Sequence, residues 1–257
     1  MRNSALVEST DEETRRAPYV DGSYAEQNPD WHQGDSPWKA QQIRKMIKRA
    51  GLKPQSICEI GCGAGAILAT LQKNNPECSF TGYEISPQAF QLAVSKSNQG
   101  LRFFRDTRPE RGKTFDLVLV IDVMEHVEDC FDFLRKLQPH GQDFILHIPL
   151  DLSVLSVLRE WPLMKRRRGV GHLHYFTKAT ALATLQDAGY QVRDYFYTKI
   201  EDSHLPLKAR IFRWLPSAIL SWVISQDSIV RIFGEYSLMV LASRAGETTD
   251  RSRPVVK

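Results

Sequence analysis

Cysteine is scarce in this 257-residue chain, and the four present, Cys58, Cys62, Cys78 and Cys130, form no Cys-x-x-Cys pair. That argues against a disulfide-stapled scaffold and against a zinc knuckle. The thiols read as small apolar side chains, and the compartment as a reducing one. Long hydrophobic runs are also missing. The first sixteen residues have no apolar core of the kind a secretory signal needs. In the most apolar stretch, 205–233, the longest uncharged run lies between Arg213 and Asp227, about thirteen residues where a bilayer span needs roughly twenty. No internal repeat is visible. The basic residues are dispersed and no recognised nucleic-acid motif occurs, so a nucleic-acid partner is not expected. A cytoplasmic protein, at most peripheral to a membrane, is the corresponding expectation.

What is present is ordinary in bulk and uneven along the chain. With 42% hydrophobic and 25% charged residues, a chain of this length can bury one sizeable core. Residues 1–37 carry eight acids against three arginines, so this arm stands at −5 and the remainder at +9. The pattern predicts an acidic, partly disordered arm over 1–37, one domain over 38–245, and a frayed polar tail over 246–257. A basic body of this kind attracts anionic substrates or membrane surfaces.

The most informative segment is Glu59-Ile60-Gly61-Cys62-Gly63-Ala64-Gly65. It closes an apolar run that starts at Ser56 and opens the helix-like Ala66-Ile67-Leu68-Ala69-Thr70-Leu71. Glycine lets the main chain bend and approach a ligand closely, and the helix behind it presents unpaired N–H groups to a polar or anionic moiety. A nucleotide-like cofactor fits such a turn. Gly61, Gly63 and Ala66 also satisfy a dinucleotide fingerprint. Glu59, however, would repel a pyrophosphate and welcome a cationic amine, such as that of a sulfonium amino acid.

Strand and helix patterns alternate from here. Strands are expected at 56–60, 79–84, 101–104, 115–121 and 143–148, with helices at 65–74, 87–97 and 129–137. A helix over 39–50 precedes them. Another runs from a Thr177 cap to Ala188, followed by strands at 190–198 and 236–243. Near-continuous apolar strands alternating with helices predict an α/β, doubly wound, mostly parallel sheet. Two inserts, 150–171 and 201–234, depart from a minimal version of it.

Glu84 ends the strand about twenty residues after the glycines, where a carboxylate can accept both hydroxyls of a ribose. After the strand Phe115 to Ile121 comes Asp122-Val123-Met124-Glu125-His126-Val127. Taken in order, these segments resemble the class I S-adenosylmethionine-dependent methyltransferases, particularly the small-molecule branch that includes ubiquinone-biosynthesis enzymes, over roughly 38–200 and again at the last strand. The resemblance implies a Rossmann-like seven-stranded sheet in the order 3-2-1-4-5-7-6 and S-adenosyl-L-methionine as cofactor. By position, Glu59, Gly61 and Gly63 would line its methionine end. Glu84 would take the ribose, Ile85 would pack beside the adenine, and Asp106 would face the adenine amino group.

The acceptor side stays open to several readings. His126 is a candidate general base for a hydroxyl acceptor. Asp122, Glu125 and His126 are an alternative metal-binding trio, as in the ubiquinone-biosynthesis enzymes, although Asp122 stands where that family usually has Glu. In a third reading the acids cap the next helix and His126 merely packs. His147, at the end of a buried strand, is a weaker catalytic candidate or a satisfied core histidine. His172 fits the family's loop-supporting histidine, with His174 less committed. Lys165 to Arg168 could grip phosphate or carboxylate, or be a solvated charge run.

Methyl transfer to a small-molecule, glycan or lipid-linked acceptor, at oxygen rather than nitrogen, is the leading function. No Asn/Asp-Pro-Pro-Tyr/Phe segment follows the fourth strand, which counts against a nucleobase aminomethyltransferase. A nicotinamide-dependent oxidoreductase and a non-catalytic cofactor-binding adaptor are the alternatives from other classes. The apolar stretch 205–233 is expected either to cover the acceptor pocket or to make peripheral membrane contact.

Overall fold

The computed structural model describes residues 19, 21, 22, 24, 26, 28–31, 33–199 and 225–246. Within them a seven-stranded sheet has the order β3-β2-β1-β4-β5-β7-β6. Its strands are β1 (Ser56–Ile60), β2 (Ser79–Tyr83), β3 (Leu101–Phe104), β4 (Phe115–Ile121), β5 (Gly141–Leu150), β6 (Tyr190–Thr198) and β7 (Tyr236–Arg244). The first five pair in parallel, while β7 runs antiparallel to both β5 and β6. The strand order reverses between β1 and β4, and a doubly wound sheet opens its ligand crevice at the carboxyl ends of such a pair.

The helices are α1 (Ser36–Ala50), α2 (Ala66–Asn74), α3 (Pro87–Val94), α4 (Cys130–Leu137), α5 (Val154–Arg159), α6 (Trp161–Gly169), α7 (Lys178–Asp187) and α8 (Gln226–Phe233). Strand periodicity divides the core between them. Val118 and Val120 of β4, with Phe144, Leu146 and Ile148 of β5, face α4 and α7. Leu117, Leu119, Ile121 and Ile145 point the other way, to a cluster holding Ala40, Ile43 and Met46 of α1 and Leu68 and Leu71 of α2. α1 therefore contributes a full packing face to the sheet. Pro87 follows the cap Ser86, whose hydroxyl accepts from the Ala89 N–H, and Thr177 forms a capping box with Thr180.

Element boundaries differ from the sequence reading where tertiary pairing decides them. β5 extends over 141–150 because β7 pairs with it from Asp143 to Leu150, a partner that local periodicity does not reveal. α3 stops at Val94, since the next residues turn back through the Lys96 N–H to the Ala93 carbonyl. The first insert folds as α5 and α6, separated by Glu160 at φ +54°. Of the second insert, 200–224 lies outside the described residues. Its end forms α8, which buries Ile229 and Val230.

Candidate active site

A cleft of about 1810 Å³ opens at the carboxyl ends of β1, β2 and β4 and continues beneath α5 and α6. The glycine turn forms one side. The N–H groups of Gly61 and Cys62 both donate to the Tyr83 carbonyl, at 2.8 and 3.0 Å, which ties the turn to the end of β2. Gly63 sits at φ +53° with open space where a Cβ would lie, so its main chain is bare toward the cleft. Its N–H donates to Glu84 Oε2 at 2.8 Å, and the Ser86 N–H donates to Glu84 Oε1 at 2.7 Å. Burial raises the Glu84 pKa and these amides oppose the rise. Each carboxylate oxygen keeps a second lone pair for a ligand hydroxyl.

Glu59 is 1% exposed and its Oε2 has no hydrogen-bond partner among the described residues. Burial holds its carboxyl well above the usual range, against the pull of Lys39. An orphaned buried acid is costly unless something completes it, and a cationic amine would. Ile85 and Asp106 line the same cleft. Asp106 is exposed, and its carboxylate accepts from the Thr107 N–H at 2.6 Å.

Lys39, from α1, is a residue the sequence reading missed. Its ammonium lies 2.8 Å from Asp122 Oδ2. The other Asp122 oxygen takes His147 Nδ1 at 2.5 Å, and His147 Nε2 meets Thr198 Oγ1 at 2.8 Å. His147 is 1% exposed and both its ring nitrogens are engaged, one by Asp122 and one by Thr198, the geometry of a histidine that orients Asp122. The nearby lysine and histidine hold the Asp122 carboxyl far below its ordinary value despite burial, and its backbone adopts the left-handed φ of +54°. Only pairing across the fold brings Lys39 to this point; nothing in its own helix marks it out.

Asp122 is therefore spent on Lys39 and His147, and the expected trio of Asp122, Glu125 and His126 is not the one the fold assembles. Glu125, His126 and His172 come together instead, with one donor atom from each lying within 4.8 Å of the others. Glu125 is fully buried, neither of its carboxylate oxygens has a hydrogen-bond partner among the described residues, and burial followed by the charge of Asp122 pushes its pKa well up. His126 Nδ1 lies 2.9 Å from the Tyr19 hydroxyl and 3.2 Å from the Gly171 carbonyl. A carbonyl only accepts, so that contact puts the proton on Nδ1 and leaves Nε2 as a lone pair, 3.8 Å from Glu125. Burial and the neighbouring His172 lower the His126 pKa to about 4.

His172 is fixed in the same manner, with Nδ1 on Asp151 Oδ2 at 2.6 Å while Arg166 holds the other Asp151 oxygen at 2.8 Å. His174 is a staple, its Nε2 bonded to the Val127 and Glu128 carbonyls at 2.8 and 3.0 Å. The N–H groups of Leu173 and His174 both reach the Glu125 carbonyl, so the 171–174 loop is sewn to the turn that carries Glu125 and His126. Tyr19, Tyr24 and Trp31 of the arm stack in sequence, with ring centroids 4.7 and 5.2 Å apart, and line the cleft mouth.

A model of the methyltransferase domain matches residues 31–195, well over half of the chain. The chain belongs to that family. Its sheet order and cleft are those of the class I S-adenosylmethionine-dependent methyltransferases, the fold the sequence implied. The ubiquinone biosynthesis O-methyltransferase of Xanthomonas axonopodis pv. citri (strain 306) is 24% identical over 185 residues, covering 64% of this methyltransferase and 77% of that enzyme. A probable (S)-tetrahydroprotoberberine N-methyltransferase 2 of Papaver bracteatum is 32% identical over 97 residues, which is 35% of this chain and only 27% of the plant protein. Among solved structures, the plantazolicin methyltransferase BpumL in complex with a desmethyl analogue and SAH superposes with a TM-score of 0.58 at 17% identity, covering 90% of this chain and 94% of that one.

Proposed function

We propose that this methyltransferase moves a methyl group from S-adenosylmethionine to a hydroxyl of a small-molecule, glycan or lipid-linked acceptor. The observation that carries the reading is the orphaned, buried Glu59 beside the bare main chain of Gly63, in a cleft that continues to the His126 lone pair. When bound, the cofactor supplies an electrophilic methyl on a sulfonium. Glu59 takes its amine and Lys39, freed in part from Asp122, its carboxylate. Glu84 accepts the ribose hydroxyls, Ile85 packs beside the adenine, and Asp106 faces the adenine amino group.

Little covalent help is required of the protein. Positioning the acceptor oxygen in line with the methyl group, in a site screened from water by the arm aromatics, supplies much of the rate. Nε2 of His126 would remove the hydroxyl proton as the new carbon–oxygen bond forms and the methyl–sulfur bond breaks, its electron pair returning to sulfur to leave the demethylated thioether. Burial and His172 keep His126 unprotonated at neutral pH and also make it a weaker proton acceptor than a free imidazole, so positioning carries more of the rate than basicity. Titration with S-adenosylmethionine, its demethylated product and a nicotinamide dinucleotide tests the cofactor half. Binding of the dinucleotide alone would sink the proposal.

A second reading of the same pocket is favoured by Glu125, whose two buried oxygens have no hydrogen-bond partner among the described residues. With His126 and His172 it could hold a divalent cation, each histidine donating Nδ1–H to a carbonyl or carboxylate and turning Nε2 inward. Such an ion would polarise the acceptor hydroxyl in place of a base.

A further inference from the structure

We propose that the outer face of α5 and α6 is a docking surface for an anionic lipid bilayer. Of the nine large hydrophobic side chains exposed among the described residues, five fall within 154–164: Val154, Val157, Leu158, Trp161 and Met164. Leu158 is 75% and Trp161 60% exposed, the highest values of the nine. Val154, Val157 and Leu158 share one face of α5 at i, i+3 and i+4, and Trp161 and Met164 share one face of α6 at i and i+3. An apolar cluster this concentrated on a water-soluble surface marks an interaction site.

The cluster is held outward by a bolted inner side. Ser153 and Ser156 are buried and cap each other, the Tyr175 hydroxyl donates to the Leu163 carbonyl at 3.1 Å, and Arg166 pairs with the buried Asp151. The helix pair is therefore fixed to the body, with Val154, Val157, Leu158 and Met164 facing away and the exposed Trp161 reaching the cleft lining.

Charge selects the occupant. With Arg166 paired to Asp151, Arg159, Lys165, Arg167 and Arg168 stand against the single acid Glu160. Within α6 the apolar residues fill the first half and the cations the last, and Trp161, Met164, Lys165 and Arg168 share one shallow depression. Apolar side chains with an interfacial tryptophan enter the acyl boundary, while long cationic stems reach the phosphates. A second copy of this chain fits poorly, because a two-fold contact would set these cations against themselves. No described helix is long and apolar enough to cross a membrane, so the contact is peripheral. Arg159, Trp161 and Lys165 also line the catalytic cleft, so a lipid-borne acceptor would reach it from the docked face; that consequence rests on the proposed methyl transfer, whereas the surface itself does not.

Flotation of the full chain with phosphatidylcholine vesicles, with and without added phosphatidylglycerol, tests the surface. The protein should float with the anionic vesicles and not with the neutral ones. Val157→Glu/Leu158→Glu should abolish flotation, and Arg167→Ala/Arg168→Ala should weaken it about fivefold per cation removed, both with unchanged affinity for S-adenosylmethionine as the control for folding. The proposal is overturned if the protein does not prefer anionic vesicles, or if neither pair of substitutions changes flotation. It also falls if flotation is lost only in Trp222→Glu, which would move the contact to the other insert. A change in the sedimentation mass of lipid-free protein in Val157→Glu/Leu158→Glu would make the face a protein interface instead, with the same result.

Discussion

The Gly63 N–H donates to Glu84 Oε2 across 2.8 Å, so the turn after β1 and the carboxylate after β2 form one preset unit. The contact fixes the orientation of the acid, proposed above as the ribose acceptor, before any ligand arrives. Glu84→Ala removes both the proposed ribose acceptor and the partner of two main-chain amides. S-adenosylmethionine affinity should fall by about 1–3 kcal/mol, the range for orphaned hydrogen-bonding groups. Calorimetry on folded variant protein measures it, and unchanged affinity removes Glu84 from the ribose role.

Glu59 carries a proton linkage. Its carboxyl is held well above the usual range by burial, so the free protein keeps a proton there at pH values where an ordinary glutamate has none. A cationic amine would favour the ionised form, so binding S-adenosylmethionine should release protons, and affinity should rise with pH until it passes the folded pKa of Glu59. Titrations in two buffers of different ionisation enthalpy read this directly. A binding enthalpy independent of buffer would show that Glu59 stays neutral and is not the amine partner. Glu59→Gln should weaken binding and abolish the release.

The Lys39–Asp122 pair gives a stability prediction. Removing one member of a buried pair costs about 3–5 kcal/mol. Asp122 keeps His147 and some solvent contact, so Lys39→Met should cost nearer 2 kcal/mol, read from urea denaturation. Because the folded pKa of Asp122 is depressed, its contribution is present above the ordinary carboxylate value near 4 and is lost as pH falls toward the lower folded value. Asp122→Asn should flatten that acid limb.

The glycine turn, Glu59, Glu84 and the strand ladder were legible because each depends on local periodicity or on a fixed offset from the turn. The depth of Glu59 in the sheet follows from β1 being central, which its flanking apolar residues announce. Lys39 was not legible, and His172 was read only as a loop support. Lys39 reads as one more solvated cation on an amphipathic helix until α1 is docked on the sheet. His172 lies 47 positions from Glu125, and the loop's hydrogen bonds assign it to Asp151 and the less committed His174 to main-chain carbonyls. The same long-range pairing ties Asp122 to Lys39 and His147, and places Glu125 and His126 with His172.

α8 closes the far end of the cleft through Phe233, while Asp227 is held by Lys178 and by the Tyr197 hydroxyl. If this helix helps to select the acceptor, Phe233→Ala should raise the acceptor KM several-fold with kcat and cofactor affinity nearly unchanged, the signature of lost uniform binding. A fall in kcat with constant KM would place Phe233 nearer the reacting atoms than the cleft geometry does.

His126 and its neighbours decide between a proton acceptor and a cation site, and the two predict opposite responses. As a base, His126 should lose about 10²–10⁴ in turnover on substitution by Ala while S-adenosylmethionine still binds. Chelators should then have no effect, and His172→Gln should be mild, since His172 would only flank the base. As cation ligands, Glu125, His126 and His172 act as a unit, so each of Glu125→Gln, His126→Ala and His172→Ala should abolish activity to a similar degree, and chelation should match them until a divalent ion is restored. Tyr19→Phe separates the cases further. It removes one of the two oxygens facing His126 Nδ1 but leaves the Gly171 carbonyl, so the tautomer survives and a base should lose less than about tenfold. Metal analysis of the purified chain, beside the same measurement on His172→Ala, provides a readout independent of turnover. Stoichiometric zinc, manganese or magnesium in the wild type, absent from the variant, would replace the base mechanism with the cation one.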